Sequence, residues 1–524
     1  MRKHMGNFFA KSVVIIGILC LFTLILANLL FAAQVDVKEK VSFEMEKGGY
    51  LYSAAAVIFS MFCGSKWSEK IEEKKLFRIC AIGYLLCGTY LVLSVNDVIR
   101  ADSFAVFGNA QLILNGNYSG FEAGGYLSVH PQQIGLLLYD LLLELFSYSP
   151  RVLFFANLIW VLVINRYLWK ISNLLFSGNK AINISTILLS FLFLPQFFFI
   201  LFAYNTIPGL MCFTVGCYYI LEYTLGPSRA KSMLLGGLLV NLAVAIRSNY
   251  QIGLIAILLY EIVLFLQKKA WKYLWLCGVL MAAFLSLQWA MKQWVVLLIG
   301  QTPPEGMPAF LWIAMGTDPQ NQNVCGPGWF NGYPDRLFEA CGYNGELAGK
   351  IALEQIRENF LFFYTHPEQA VKFFGKKFIS TWCEPTYQSI WSGPLARYGQ
   401  ETYTYIISNI YNQKGLYWFI RLFSKGVTVT ILLFTFLYSL DKRKAFSQYG
   451  LLILYLIGGV LFHLMWETKS QYVYGYVFLL IPLGAAGAFE TYQKMIKKWR
   501  ESSWCEKIIR KFHQISCKTF GKVL

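Results

Sequence analysis

The chain has 524 residues, of which 56% are hydrophobic and only 14% charged, with a mean hydropathy of +0.47. A soluble domain carries roughly 25% charged residues, so this composition excludes a water-soluble globule of such length. The formal net charge of +17 falls in short clusters between apolar runs, which points to membrane topology and anionic lipid and away from nucleic acid.

A helix needs about 20 apolar residues to cross hydrocarbon. By that measure about twelve spans are predicted, at 12–33, 50–64, 77–95, 152–170, 182–202, 207–224, 232–247, 250–267, 272–297, 416–438, 448–466 and 471–489. The first follows Arg2, Lys3 and Lys11; its apolar run is too long for a signal peptide, so it is expected to be retained. The cation clusters from Lys66 to Arg78, Arg166 to Lys180, Arg229 with Lys231, Lys268 to Lys272 and Lys442 to Lys444 fall between spans that meet on one side. With the basic tail from Lys494 to Lys522, they place both termini in the cytoplasm of a multi-pass cell-membrane protein. The 15 Trp and 32 Tyr suit the membrane interfaces.

Residues 131–148 (PQQIGLLLYDLLLELFSY) are apolar enough to be weighed as a thirteenth span. Asp140 and Glu144 lie within the run, and charges in lipid are costly. Crossing there would also move the 166–180 cations outside. The segment is therefore expected to lie in the outer interface. The fold class expected is an all-α transmembrane bundle of about twelve (or thirteen) helices, with interfacial helices in a first extracytoplasmic loop, 96–151, and a large late loop, 298–415. The organisation follows: additional helices over 1–76, a transmembrane core over 77–297, the late loop, C-terminal helices over 416–490, and the basic tail 491–524. The late loop opens on Pro303, Pro304 and Pro308 as irregular chain, and its helical middle breaks at His366-Pro367.

The first loop is the most informative stretch. Asp97 and Asp102 follow directly on the third span, and Val106, Phe107, Ala110, Ile113 and Leu114 then share one helical face. A carboxylate at this surface can take a proton from a hydroxyl nucleophile; alternatively Asp102 caps the helix and Asp97 the preceding turn. Arg247 and Asn249 lie in the hairpin AIRSNYQIG, which opens outward. An outward Arg departs from the inside bias of cations. It either binds a phosphate in bidentate fashion or snorkels to the interface. Lys292, Lys376, Lys377 and His130 are further candidates, and His130 also reads as a turn residue before Pro131. The five His include no HxxxH pattern, so no metal ligands are named. Among the 12 Cys there is no CxxC pair, and Cys325 and Cys341 read equally as a disulfide or as free thiols.

At these residues the chain resembles the GT-C-type membrane glycosyltransferases, the superfamily of protein O-mannosyltransferases and lipid A aminoarabinose transferases. It is most similar to bacterial members described as dolichyl-phosphate-mannose-mannosyltransferase-like. The likeness lies in the order of an early acid, an amphipathic helix, a Gly-Asn-Tyr turn, then Tyr126 and HPQQIG. The segments PQFFFILFAYNT, AIRSNYQIGLIA and FFGKKFISTWCEPTY also contribute, and together they cover roughly 77–490. The resemblance implies inverting transfer of a sugar from a polyprenyl-phosphate donor to an extracytoplasmic glycan, lipid or protein. Asp102 would be the base and Asp97 the reserve. Arg247, Asn249, Lys292, Lys376 and Lys377 would bind the donor phosphate, and Tyr126, His130, Gln132 and Gln133 would line the acceptor region. Many relatives carry two adjacent acids, whereas Ser103 follows Asp102 here; no cofactor is implied with certainty and a divalent metal stays open. Two rivals remain. A surface-polysaccharide polymerase or ligase would rely on the late lysines, and a transporter or lipid flippase would place ionisable groups or broken helices at mid-membrane.

Overall fold

The computed structural model describes residues 2–320, 325–394, 399–441 and 445–501. The Lys442 to Lys444 cluster and the tail beyond 501 lie outside the described residues. Among the described residues the chain forms 22 α-helices and one two-stranded sheet.

Helix α1 (Arg2–Leu30) runs into β1 (Phe31–Val35), which pairs antiparallel with β2 (Val41–Met45) from Phe31↔Met45 to Val35↔Val41. The hairpin is a small addition to an otherwise all-α architecture, and the first helix, expected over 12–33, starts and ends earlier. Its turn is held by Asp36, whose Oδ1 accepts from the N–H groups of Lys38 and Lys40, both at 2.8 Å. The strand docks by donating from the Ala33 N–H to the Cys383 carbonyl at 3.1 Å.

The chain continues through α2 (Tyr50–Lys66), α3 (Glu73–Leu93), α4 (Ala101–Leu114), α5 (Tyr126–Val129), α6 (Ile134–Glu144) and α7 (Arg151–Leu175). Then come α8 (Lys180–Leu192), α9 (Leu194–Phe198), α10 (Thr206–Leu225), α11 (Ala230–Ile246), α12 (Gln251–Lys268) and α13 (Lys272–Ile299). The late region holds α14 (Phe310–Gly316), α15 (Tyr333–Ala340), α16 (Gly345–Thr365), α17 (Pro367–Trp382) and α18 (Tyr405–Tyr411). The chain closes with α19 (Gly415–Ser439), α20 (Phe446–Met465), α21 (Tyr474–Leu479) and α22 (Ile481–Arg500).

Among the described residues seven helices are long and apolar enough to cross a membrane: α1, α3, α7, α12 with the turn before it, α13, α19 and α20. Two bent pairs raise the number to nine, α8 with α9 and its 3-10 extension, and α21 with α22, each bent by 48°. Pro195 and Pro482 stand at the first turn after each bend, where a missing N–H is tolerated. At the far end of the first pair's 3-10 extension, Asn157 of α7 donates Nδ2 to the carbonyls of Ile200 and Phe202 at 3.2 and 3.1 Å. α2, α10 and α11 occupy the three remaining positions where spans are predicted. This is a helical protein suited to a membrane, with the apolar faces of α1, α3 and α13 largely unburied within the chain.

α6 has 11 residues, about 16 Å of helix against a hydrocarbon core of about 30 Å. It packs against α4 and α11, and it buries both Asp140 and Glu144. The expected break at His366-Pro367 separates α16 from α17. Cys325 and Cys341 are free thiols. The late region docks on the segment between α3 and α7: Val129 packs with Leu311, Ala314 and Phe338, and its carbonyl accepts from the Met307 N–H at 3.1 Å.

Candidate active site

The chain reaches α4 through an unusual corner. Arg100 is buried, stacks 4.1 Å from the Trp391 ring and donates to the Trp391 carbonyl. Ala101 follows with φ of 53°, a left-handed conformation costing about 1–3 kcal/mol for a residue with a Cβ. The corner turns Asp102, in the first turn of α4, into an exposed position. Asp102 does not cap the helix, because α4 has no side-chain cap bond. Its carboxylate instead interacts with the Tyr126 hydroxyl, and it acts electrostatically on His130, Tyr204, Asp335, Glu467, Lys469 and Tyr472. Burial raises the Tyr126 pKa, with Tyr204 and Asp102 adding to the rise, so this phenol stays protonated and donates.

Two sides of this cluster come from segments far apart in sequence. His130, in the turn between α5 and α6, sits 3.8 Å from Asp335 of α15 and 4.8 Å from the Tyr126 ring. Burial lowers the His130 pKa against the pull of Asp102 and Asp335. Exposed Gln132 approaches His130 Nδ1 at 3.4 Å, while buried Gln133 donates to the Tyr204 hydroxyl. The other side is the segment between α20 and α21. There Lys469 pairs with Glu39 of the β-hairpin turn at 2.7 Å. Burial works against the Lys469 charge, but Glu39, Glu467 and Asp102 outweigh it and raise its pKa. Tyr472 donates to Glu467 at 3.2 Å.

Arg247 caps the end of α11 and is buried, so its head does not reach for the interface. Its Nη1 donates to Thr206 Oγ1 at 2.9 Å, and the guanidinium carbon lies 5.5 Å from the Tyr472 ring. Arg247 and Asp102 both act on Tyr204 and Tyr472, so these two rings connect the acid to the guanidinium. Asn249 is half-buried in the 3-10 turn that follows.

The other predicted residues separate from the cluster. Asp97 Oδ2 accepts from Ser149 Oγ at 2.6 Å, tying the end of α3 to the start of α7. Lys292 is exposed on α13. Lys376 is half-buried, 5.9 Å from the Phe43 ring. Lys377 is fully buried and donates to the carbonyls of Gly316, Leu464 and Trp466 at 2.6, 2.9 and 2.8 Å. Burial pushes its amine down to about 7, yet three carbonyls in reach take three N–H groups, which only the ammonium supplies. That set leaves no donor for a phosphate, and it corrects the assignment of Lys377 to the donor site. No three His, Cys, Asp or Glu among the described residues stand together as metal ligands.

Sequence reasoning missed Glu39, Tyr204, Asp335, Glu467, Lys469 and Tyr472. Lys469 carried the same signal that picked out Arg247, a cation in an outward hairpin. Glu467 yields a prediction of its own. Burial pushes its carboxyl up to about 7 from the usual 4.5, with Glu39 and Asp102 adding to the rise against Lys469 and Tyr472. A carboxyl whose pKa is higher folded than unfolded stabilises the fold while protonated, and that contribution is lost as pH climbs from 4.5 to about 7. Glu467→Gln cannot ionise, so its stability relative to the wild type is expected to improve by about 1–3 kcal/mol between pH 5 and pH 8. Thermal unfolding in detergent at the two pH values measures this, and an unchanged gap would contradict it.

Comparison with protein-family models, with curated proteins and with solved structures gives no match.

Proposed function

We propose that the chain is a GT-C-type membrane glycosyltransferase, moving a sugar from a polyprenyl-phosphate donor to an extracytoplasmic hydroxyl acceptor. The supporting observation is convergence. Asp102 from the segment after α3 and Arg247 from the α11–α12 turn both act on Tyr204 and Tyr472, and Lys469 from the segment after α20 joins them through Asp102 and Glu467. In the accompanying topology all twelve predicted positions cross the membrane, α6 lies in the interface, and both termini are cytoplasmic. The three residues then share the extracytoplasmic end.

The chemistry fits that placement. A polyprenyl tail stays in the bilayer, so the site must lie at its surface. Asp102 accepts the proton of the acceptor hydroxyl as its oxygen bonds to the anomeric carbon. The bond from that carbon to the phosphate oxygen breaks, and the phosphate leaves with its electron pair. Arg247 and Lys469 offset the growing charge on that phosphate. Tyr126 orients the Asp102 carboxylate through its hydroxyl.

The polymerase or ligase reading depends on late-loop lysines, and Lys377 is committed to backbone carbonyls. The two bent helix pairs are the feature that favours a transporter, since transporters break helices around their sites. The deciding experiment offers a panel of radiolabelled polyprenyl-phosphate sugars to proteoliposomes carrying the purified chain, with host-membrane extract as acceptor. Label is expected in a new product. Solute uptake without any labelled product would instead make it a transporter.

A further inference from the structure

α17 lies across the ends of two neighbouring helices. α1 and α20 pack side by side. Asn28, in the last turn of α1, donates Nδ2 to the Trp382 carbonyl at 3.2 Å. Lys377 donates to the Leu464 and Trp466 carbonyls at the end of α20. Positions 377 to 382 span about 7.5 Å of helix, and packed helices stand about 8–10 Å apart. The run of α17 is thus spent in stepping from one helix end to the next, so the helix lies along the membrane surface instead of rising from it. Going back from 377 to Pro367 adds about 15 Å, which carries α17 past α20. Leu461 and Met465 leave that end of α20 exposed, so lipid borders it there.

The face that α17 turns to the bundle continues beyond it. Trp382 is buried in the main apolar core, and Phe378 packs on the same core. A helix returns to one face at i, i+4, i+7 and i+11. Counted back from Trp382, that face carries Phe378, Gly375 and Val371. A Cβ at Gly375 would meet nothing within 4 Å, and Val371 is 76% exposed. The bundle therefore ends beneath Gly375, and Val371 faces what lies outside it. The elbow between α16 and α17 exposes Leu361 and Tyr364 as well, at 60% and 85%. Phe363 holds the elbow together, its ring centroid 5.2 Å from that of Phe373 and 5.1 Å from that of Phe374. Glu368 and Lys372, beside Val371, are exposed and opposite in charge.

We propose that the α16–α17 elbow is seated in the outer leaflet of the bilayer, with Val371, Leu361 and Tyr364 among the headgroups and upper acyl chains. Apolar groups exposed together mark an interaction surface, and an interfacial helix buries its apolar face about 5–10 Å into the headgroup boundary. Tyr suits that level, with an apolar ring and a wet hydroxyl. The charges beside Val371 offset one another, so a zwitterionic lipid suffices. The seat braces the region that carries Asp335 to His130 against the bilayer. Which leaflet receives it rests on the proposed topology; the contact with lipid rests on neither that topology nor sugar transfer.

The test uses the full chain in phosphatidylcholine nanodiscs, with trifluoromethyl-phenylalanine incorporated in place of Val371 or, in a second sample, of Tyr364. Its fluorine NMR signal is read with dissolved oxygen, which concentrates in lipid, and with a water-soluble nickel chelate. The same label in place of Leu285, exposed midway along α13, marks lipid, and the free amino acid marks water. Both elbow labels are expected to be broadened by oxygen and to lose most of the nickel broadening that the free amino acid shows. Val371→Asp combined with Leu361→Asp, both at exposed positions, should restore nickel broadening at position 364. Labels as open to nickel as the free amino acid overturn the proposal. Shielding from both agents overturns it too, because protein then covers the elbow. Continued nickel shielding in the double variant, correctly folded by size exclusion, does the same. No arm reads sugar transfer, so the transferase reading can fail while this result stands, and the reverse.

Discussion

Asp102→Asn is expected to lower the initial rate of sugar transfer by roughly 10²–10⁴-fold, the contribution a positioned base makes, while membrane insertion and thermal stability stay unchanged. The side chain is exposed and caps nothing, so its loss has little reason to disturb the fold. Asn keeps the shape and can still accept from Tyr126, but it cannot take a proton. Asp97→Asn is the matched control. Asp97 bonds Ser149 at 2.6 Å, so its neutralisation should cost about 1 kcal/mol of stability and leave the rate within a few-fold. The measurement is transfer from the labelled donor in proteoliposomes at equal incorporated protein. Wild-type activity in Asp102→Asn would end the base assignment, and loss in both variants alike would point to the acidic segment as structure instead of chemistry.

The contrast between these two acids shows what sequence can reach. Both follow the same span, and only Asp102 directly precedes an amphipathic helix. The helix formed at Ala101–Leu114 with Val106, Phe107 and Ala110 buried. Apolar length alone located a helix or bent pair at every predicted span, because the signal is long and redundant. The β-hairpin was not legible. Its strands have five residues each, and the first is a continuation of an apolar run that reads as helix. Glu39 therefore went unnoticed, although the pairing of β1 with β2 is what carries it to Lys469.

Convergence was the other blind spot. Arg247 stood out by violating the charge bias, and Lys469 violates it in the same way. Residues such as Tyr204, Tyr472 and Asp335 carry no local mark, since their neighbours lie in other segments. Glu467 and Lys469 sit between two apolar helices in WETKSQY, where a flanking pair of opposite charges looks like an ordinary loop. The ionisable pair Asp140 and Glu144 is legible in a negative sense: their charge argues against a span, and α6 has only 11 residues.

Lys377→Met is expected to destabilise the protein by about 3–5 kcal/mol, the range for breaking a buried charged network, whereas Lys376→Met changes stability little. In FFGKKF the two lysines are indistinguishable by type and position. One helical step of about 100° separates them. It leaves Lys376 half-buried beside Phe43 and drives Lys377 to the point where the ends of α14 and α20 meet α17. Both helices end there with unpaired carbonyls, as every helix end does. Gly316 closes α14, while Leu464 and Trp466 lie at the end of α20, and one ammonium satisfies all three. A stranded buried acceptor costs about 1–3 kcal/mol, and some of that is recovered by relaxation or by water. The junction also fixes the departure of the chain toward Glu467 and Lys469. Lys377→Met should therefore lose transfer activity in parallel with its thermal stability, and should recover both at lower temperature. Activity lost at full stability would show instead that the Lys377 amine takes part in the reaction.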